Sequence, residues 1–277
     1  MKGGHIMKKK IFAVSDIHGD FDALISSLEE AGYDESNPEH LLISLGDAFD
    51  RGERSADVYE YLKRLSDEGK AIVLKGNHTT MFIDYLDGTS LDPFNYYRNG
   101  EKETFADFLH RTDPFESWCM IDKNIQNPTY GDFATWVKEA REEINEEYPE
   151  LLEWLKTRPY YYETKNYIFT HGAIDTRVED WHNPHCFRYR YNDWDALTWD
   201  DGSFFGKTIK NTDKTVVIGH FGTQTLRKMY NTGENDKTWS ILTRKDGRVI
   251  ALDATTCYSH KVNVLVLESE ELLDDVE

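Results

Sequence analysis

The chain has little of what would place it outside the ordinary globular class. Three cysteines, Cys119, Cys186 and Cys257, are scattered over 277 residues without CxxC spacing. That excludes a disulfide framework and a thiolate zinc site, and it fits a reducing, cytoplasmic setting. No run approaches the roughly 18 apolar residues needed to span a bilayer. The apolar stretch Ile11–Val14 behind Lys8–Lys10 is cut by Asp16 and His18 too early for a signal sequence. Basic side chains are scarce: 32 Lys and Arg against 51 Asp and Glu leave a net charge of -19. Sequence-independent nucleic-acid binding needs a cationic face to displace counterions and is excluded; no membrane partner is expected either. There is no internal repeat, low-complexity segment or proline-rich linker. Residues 1–6, ahead of a second methionine at Met7, read as an appended leader rather than as fold.

What is present suffices for a sizeable core, in one domain with a large insertion or in two domains. Short apolar runs with β-branched residues recur at Ile11–Ser15, Leu41–Leu45, Ala71–Leu74, Tyr167–Thr170, Val216–Ile218, Trp239–Thr243, Val249–Leu252 and Val262–Leu267. Bounded by Gly, Asp and Asn, they read as buried strands. Phe21, Leu24, Ile25 and Leu28 share one helical face, with Asp20 as N-cap and Gly32 as stop. Val58, Tyr61, Leu62 and Leu65 repeat that pattern up to Gly69. Strand–helix alternation implies parallel pairing, whereas Asp246-Gly247 signals a hairpin, so the expected fold is α/β with a mixed sheet. From Thr80 to Tyr162 the strand series is interrupted by an aromatic and acidic stretch, with helices expected at Lys102–Leu109 and Phe133–Leu155. This reads as a helical cap inserted beside the sheet. A second irregular stretch, Asp175–Asp213, carries Trp181, Trp194 and Trp199. The expected organisation is one domain over 7–267, a cap at about 80–162, and a solvated acidic tail at 268–277.

The informative residues stand directly after the strands. The endings are Asp16-Ile17-His18-Gly19, Gly46-Asp47-Ala48-Phe49-Asp50-Arg51-Gly52, Gly76-Asn77-His78, His171-Gly172 and Gly219-His220. Each alone is ordinary turn chemistry. Five in one chain, all able to ligate metal, are not, because open α/β sheets gather ligands beyond the carboxyl ends of their strands. Carboxylate, amide and imidazole donors without thiolate suit hard or borderline divalent ions. On an extended chain Asp16 and His18, two residues apart, would point to the same side and grip one ion. A second ion about 3.5–4 Å away would need a bridging carboxylate, for which Asp47 is the candidate. Such a pair polarises phosphoryl oxygens and activates a hydroxide. Bound cations would also reconcile the acidic chain with an anionic substrate.

The series DIHG, GDAFDRG, GNH, HG and GH, in this order, resembles the calcineurin-like metallophosphoesterases, and the intact GDxxDRG resembles their phosphoprotein-phosphatase branch. The resemblance covers about Ile11–His78 and Tyr167–Leu267. It implies a β-sandwich core flanked by helices and hydrolysis of phosphate esters with two divalent ions, manganese first, with iron, zinc or nickel as alternatives. Asp16, His18 and Asp47 would hold the first ion, and Asp47, Asn77, His171 and His220 the second. His78 would protonate the leaving group, Asp50 would orient its ring, and Arg51 would clamp phosphate oxygens. Asp50 and Arg51 could instead pair with each other at a helix start. Lys75 stands where the family carries arginine and is the further substrate-binding candidate, and Thr79 replaces the usual Glu. Phe221 and Gly222 precede Thr223 after the GH motif. The second phosphate-binding arginine is not placed, with Arg177, Arg188 and Arg190 as candidates. His182, His185 and His260 match no ligand position and are expected at structural or surface positions.

The substrate implied first is a serine/threonine phosphoprotein. A dinucleoside polyphosphate or another small phosphoester is the alternative, and a metal-binding scaffold without catalysis is a third reading. The cap aromatics Phe94, Tyr96, Tyr97, Trp118 and Trp136 would either stack on a nucleobase or form the cap's own core.

Overall fold

The computed structural model of the chain describes residues 8–89, 92–179, 181–182, 196–233 and 238–272. Two mixed sheets face each other. The first runs β3 (Ala71–Val73), β2 (His40–Ser44), β1 (Lys8–Val14) and β9 (Leu265–Glu271), parallel except for the antiparallel β9. The second runs β4 (Tyr161–Glu163), β5 (Tyr167–Thr170), β6 (Thr215–Ile218), β8 (Val249–Ala251) and β7 (Leu242–Thr243); its central strands are parallel and its two edge strands antiparallel. Alternation along each strand separates three apolar layers. Ile11 and Ala13 of β1 meet Phe169, Val217 and Ile250 of the other sheet in the middle of the sandwich. Phe12 and Val14 point outward under helices, and Ile168, Val216 and Val249 line the opposite outer face. A strand buried on both sides must be apolar at every position, which is why Ile11–Val14 shows no alternation.

Helices α1 (Phe21–Glu30) and α2 (Ser55–Asp67) connect the parallel strands of the first sheet. The Asp20 carboxylate caps α1 by accepting from the Ala23 N–H at 3.0 Å, and Gly32 takes φ +78° just past its end. The Asp246-Gly247 turn joins antiparallel β7 and β8, with Gly247 at φ +71°. Between β3 and β4 lie α3 (Asn77–Asp87), α4 (Glu101–Phe108), α5 (Pro114–Ser117), α6 (Tyr130–Glu147) and α7 (Leu151–Lys156); α8 (Thr223–Tyr230) and α9 (Thr256–Ser259) come later in the chain. The side chains of α3–α7 share one continuous apolar core with α1, α2 and the outer face of the first sheet. Tyr96, Trp118 and Trp136 are buried in it, and Tyr96 meets Trp136 edge-on at 5.1 Å. Phe94 and Tyr97 are exposed.

Several boundaries differ from those the sequence pattern predicts. The helix expected over Phe133–Leu155 is two helices, because Pro149 drives Tyr148 out of the helical region, to φ -121° and ψ 67°. Edge strand β4 lies at the end of the stretch assigned to the cap, and the strand expected at Trp239–Thr243 is reduced to Leu242–Thr243. The last strand starts later than expected and takes in Glu268–Glu271, expected as tail. The backbones of Lys8 and Lys9 pair with Glu271 and Glu270, and the glutamate side chains are taken up locally: Glu268 by Lys10 at 2.8 Å, Glu270 by Asn166 and Glu271 by Lys165. Residues 1–7, Cys186, His185, Arg188, Arg190 and Trp194 lie outside the described residues. No helix among the described residues is long and apolar enough to cross a membrane.

Candidate metal centre

The strand ends of both sheets converge. The turn after β1 is bonded to the turn after β2, with Asp16, His18 and Gly19 N–H groups donating to the carbonyls of Gly46, Asp47 and Ala48. The sheets are tied where the His220 N–H donates to Asp16 Oδ2 at 2.9 Å. Gly76 and Gly219 permit close approach: a Cβ on Gly76 would lie 2.0 Å from Asp47 Oδ1, and one on Gly219 1.9 Å from Ser15 Oγ. Asp16, His18, Asp47, Asp50, Arg51 and His220 all adopt φ between 49° and 72°. The side chains of Asp16 and His18 therefore converge through two left-handed turns and not, as their spacing suggests, through an extended chain. Left-handed backbone is unfavourable for residues with a Cβ, least so for Asp and His, and here it marks the loops that aim donor atoms.

Two trios of buried or half-buried donors share one carboxylate. His18, Asp47 and His78 form one, and Asp47, His171 and His220 the other, each with ligand atoms within 4.8 Å of one another. Asp47 Oδ2 lies 3.1 Å from His171 Nε2 and 4.0 Å from His78 Nε2, while Oδ1 accepts the His78 N–H at 3.0 Å. Asn77 Oδ1 is 3.1 Å from His171 Nε2, and Asp16 Oδ1 is 3.9 Å from His18 Nε2. His18 Nδ1 donates to the Phe49 carbonyl at 2.9 Å, leaving the Nε2 lone pair toward the cluster.

The electrostatics fit divalent cations. Burial raises the Asp16 carboxyl, with the Asp47 charge adding to it, and raises Asp253 well above the carboxylate range, with Asp16 adding to that. Burial would also raise Asp47, but the neighbouring imidazoles, His171 foremost, hold it well below the usual range. Burial pushes His220 down to about 3, and His171 Nδ1 is buried without a hydrogen-bond partner. Buried carboxylates at this density are costly unless a cation compensates them, and imidazole with carboxylate and amide oxygen is a donor set for such ions.

The profile of calcineurin-like phosphoesterases matches residues 9–260. The chain belongs to this family. The chain is 32% identical over 81 residues to a Bacillus velezensis bis(5'-nucleosyl)-tetraphosphatase, covering 27% of this chain and 32% of that one. It is 27% identical over 179 residues to Shewanella-like protein phosphatase 1 of Plasmodium berghei, covering 61% of this chain and 40% of the relative. These matches span about a third to two fifths of the relatives' own length. Among solved structures, a cold-active protein-tyrosine phosphatase of a psychrophilic Shewanella species superposes with TM-score 0.50 at 18% identity, covering 96% of this chain and 80% of that one.

Around the cluster, Asp50 and Arg51 do not pair at a helix start, since α2 begins only at Ser55. Asp50 Oδ2 lies 2.6 Å from His78 Nδ1, so Nδ1–H donates and Nε2 faces inward. The Arg51 fork reaches two rings, His18 Nε2 at 2.7 Å and His78 Nε2 at 3.0 Å. Lys75 does not join them. Where substrate contact was expected of it, its ammonium in this structure donates to the Lys156 carbonyl at 2.6 Å and lies over the Tyr160 ring, tying the end of β3 to the end of α7 and the residues behind it. Arg177 is bonded to Asp175; His182 stacks on Trp181 and reaches Glu163, and exposed His260 pairs with Asp20.

Three buried residues at the site carry no motif in the sequence: Asp253, Thr104 and Glu101. Asp253 had a signal, because it follows the apolar run Val249–Leu252 as the other site residues follow theirs. Glu101 opens α4 with both carboxylate oxygens buried and unpartnered. Burial, with the Asp50 charge adding, raises it to about 10, so it is neutral at pH 7. The unfolded chain loses this proton from about pH 4.5 upward while the folded chain keeps it, so stability falls as pH rises between those values. Glu101→Gln should raise stability near pH 8 by roughly 1–3 kcal/mol and change it little near pH 4, as thermal melts across pH will read.

Proposed function

We propose that the chain is a metal-dependent phosphomonoesterase of the serine/threonine-phosphatase type. The observation that carries this is the Asp47 carboxylate set between His18 on one side and His171 and His220 on the other, with the His78–Asp50 pair and the Arg51 fork beside them. The chemistry supplied by two divalent ions held there, manganese first among them, is polarisation of phosphoryl oxygens and activation of a water. The chain's own residues do the rest. The Arg51 fork, which here rests on the His18 and His78 rings, would turn its N–H groups to the phosphate oxygens of a bound substrate. His78 presents Nε2 for proton transfer to the leaving oxygen, and Asp50 on Nδ1 fixes its orientation and stabilises its charged form.

A phosphopeptide is favoured because the cap aromatics Tyr96, Trp118 and Trp136 are spent in the core. The cavity of about 390 Å³ beside the cluster has the charged or ionisable side chains Asp20, Arg51, Arg54 and His260 in its lining. Its Phe21 ring is already faced by the Arg54 guanidinium at 4.7 Å. A second reading, dinucleoside polyphosphate hydrolysis, draws on the similarity to the Bacillus enzyme and on Trp199, half-buried beside His220 at 4.6 Å. Manganese-loaded protein should hydrolyse p-nitrophenyl phosphate and phosphoserine peptides and lose both activities to a chelator. Preference for diadenosine tetraphosphate would select the second reading. No turnover with any divalent ion, from protein shown to hold metal, would leave a scaffold.

A further inference from the structure

Asp50 and Arg51 both sit at φ 72°, in a backbone region that costs about 1 kcal/mol or more per residue with a Cβ. What holds them there comes from the first turn of α4, half a hundred residues further along the chain and outside every family motif. The Arg51 N–H donates to the Gly100 carbonyl at 3.1 Å, and the Asp50 N–H donates to Thr104 Oγ1 at 2.8 Å. The same hydroxyl donates to Asp50 Oδ1 at 2.6 Å. Thr104 is fully buried, with Ser55 Oγ 3.4 Å away as its other polar neighbour. The fit is close: a Cβ on Gly100 would lie 2.5 Å from the Arg51 backbone nitrogen.

The Asp50 carboxylate is thus divided between two partners, Oδ1 on Thr104 and Oδ2 on His78 Nδ1. A carboxylate anchored at one oxygen cannot swing, and the imidazole bonded to its other oxygen keeps Nε2 toward the reacting group. We infer that Thr104 is a positioning residue for phosphate-ester cleavage, fixing Asp50 and through it the His78 ring. The inference rests on His78 being the proton donor proposed above. It gives the inserted helices a role in the chemistry that does not depend on their aromatic side chains touching substrate.

Leaving groups of different basicity test it. Phenyl phosphate needs its departing oxygen protonated; p-nitrophenyl phosphate departs with little help. Thr104→Val should lower kcat for phenyl phosphate roughly tenfold, leave p-nitrophenyl phosphate nearly unchanged, and leave bound metal unchanged. Thr104→Ser should restore the loss, and in an Asp50→Asn background Thr104→Val should add nothing further. Should Thr104→Val not fold, Thr104→Ala, whose smaller side chain leaves room for a water, carries the same comparison. Equal losses on both substrates, or additivity with Asp50→Asn, overturns the positioning role. So does wild-type behaviour of Thr104→Val when His78→Ala is impaired. If His78→Ala itself leaves phenyl phosphate turnover intact, the proton-donor reading has failed and takes this inference with it.

Discussion

His78→Ala should lower turnover of a phosphomonoester roughly a hundredfold or more while the protein keeps its full complement of metal. The geometry makes the second half of that expectation the sharper one. His78 Nε2 lies close enough to His18 and Asp47 to serve as a ligand, as the composition of the first donor trio shows. Its Nδ1, however, is committed to Asp50 at 2.6 Å, and Arg51 shares its Nε2. Asp50 is placed to stabilise the charged form of the ring, and Nε2, which accepts from Arg51 here, is free to carry a proton once that guanidinium turns to phosphate oxygens. Metal analysis of the purified variant beside its kcat separates the cases. Retained metal with lost turnover fits the proton donor; metal lost in step with activity makes His78 a ligand.

Asp47→Asn is expected to weaken both ions together. Only this carboxylate belongs to both trios, and its two oxygens face different partners, Oδ1 toward the His78 backbone and Oδ2 toward His171. An amide keeps the acceptor for the His78 N–H but removes the charge and one acceptor oxygen. Affinity at both sites should fall by more than the roughly 10–100-fold that losing an outer hydrogen-bond partner of a ligand costs. Asp16→Asn should act mainly on the first ion. Titration calorimetry with manganese reads both variants, and one native-affinity site surviving in Asp47→Asn would remove the bridging role.

Much of this arrangement was legible because of where its parts stand. Asp16, His18, Asp47, Asn77, His171 and His220 each come after an apolar run short enough to be a strand, and parallel strands deliver their ends to one edge. What local pattern could not supply was the conformation of those ends, since nothing in Asp-x-His announces two left-handed residues. The split of α6 from α7 was available in Pro149 and was masked by a strong apolar period on either side. Thr104 and Glu101 carried no signal. They open an ordinary amphipathic helix, and only tertiary packing brings its first turn against Asp50 and Arg51. Lys75 shows the converse: its motif position suggested substrate contact, but a long apolar stem and an aromatic ring nearby took its ammonium to Tyr160 and the Lys156 carbonyl.

The arrangement of donor atoms is tested most directly by anomalous scattering from crystals of the protein soaked in manganese. Two peaks, one on either side of the Asp47 carboxylate, with His18 bordering one and His171 and His220 the other, is the result expected. A single peak, or peaks remote from Asp47, would contradict the shared-carboxylate centre on which the proposed chemistry rests.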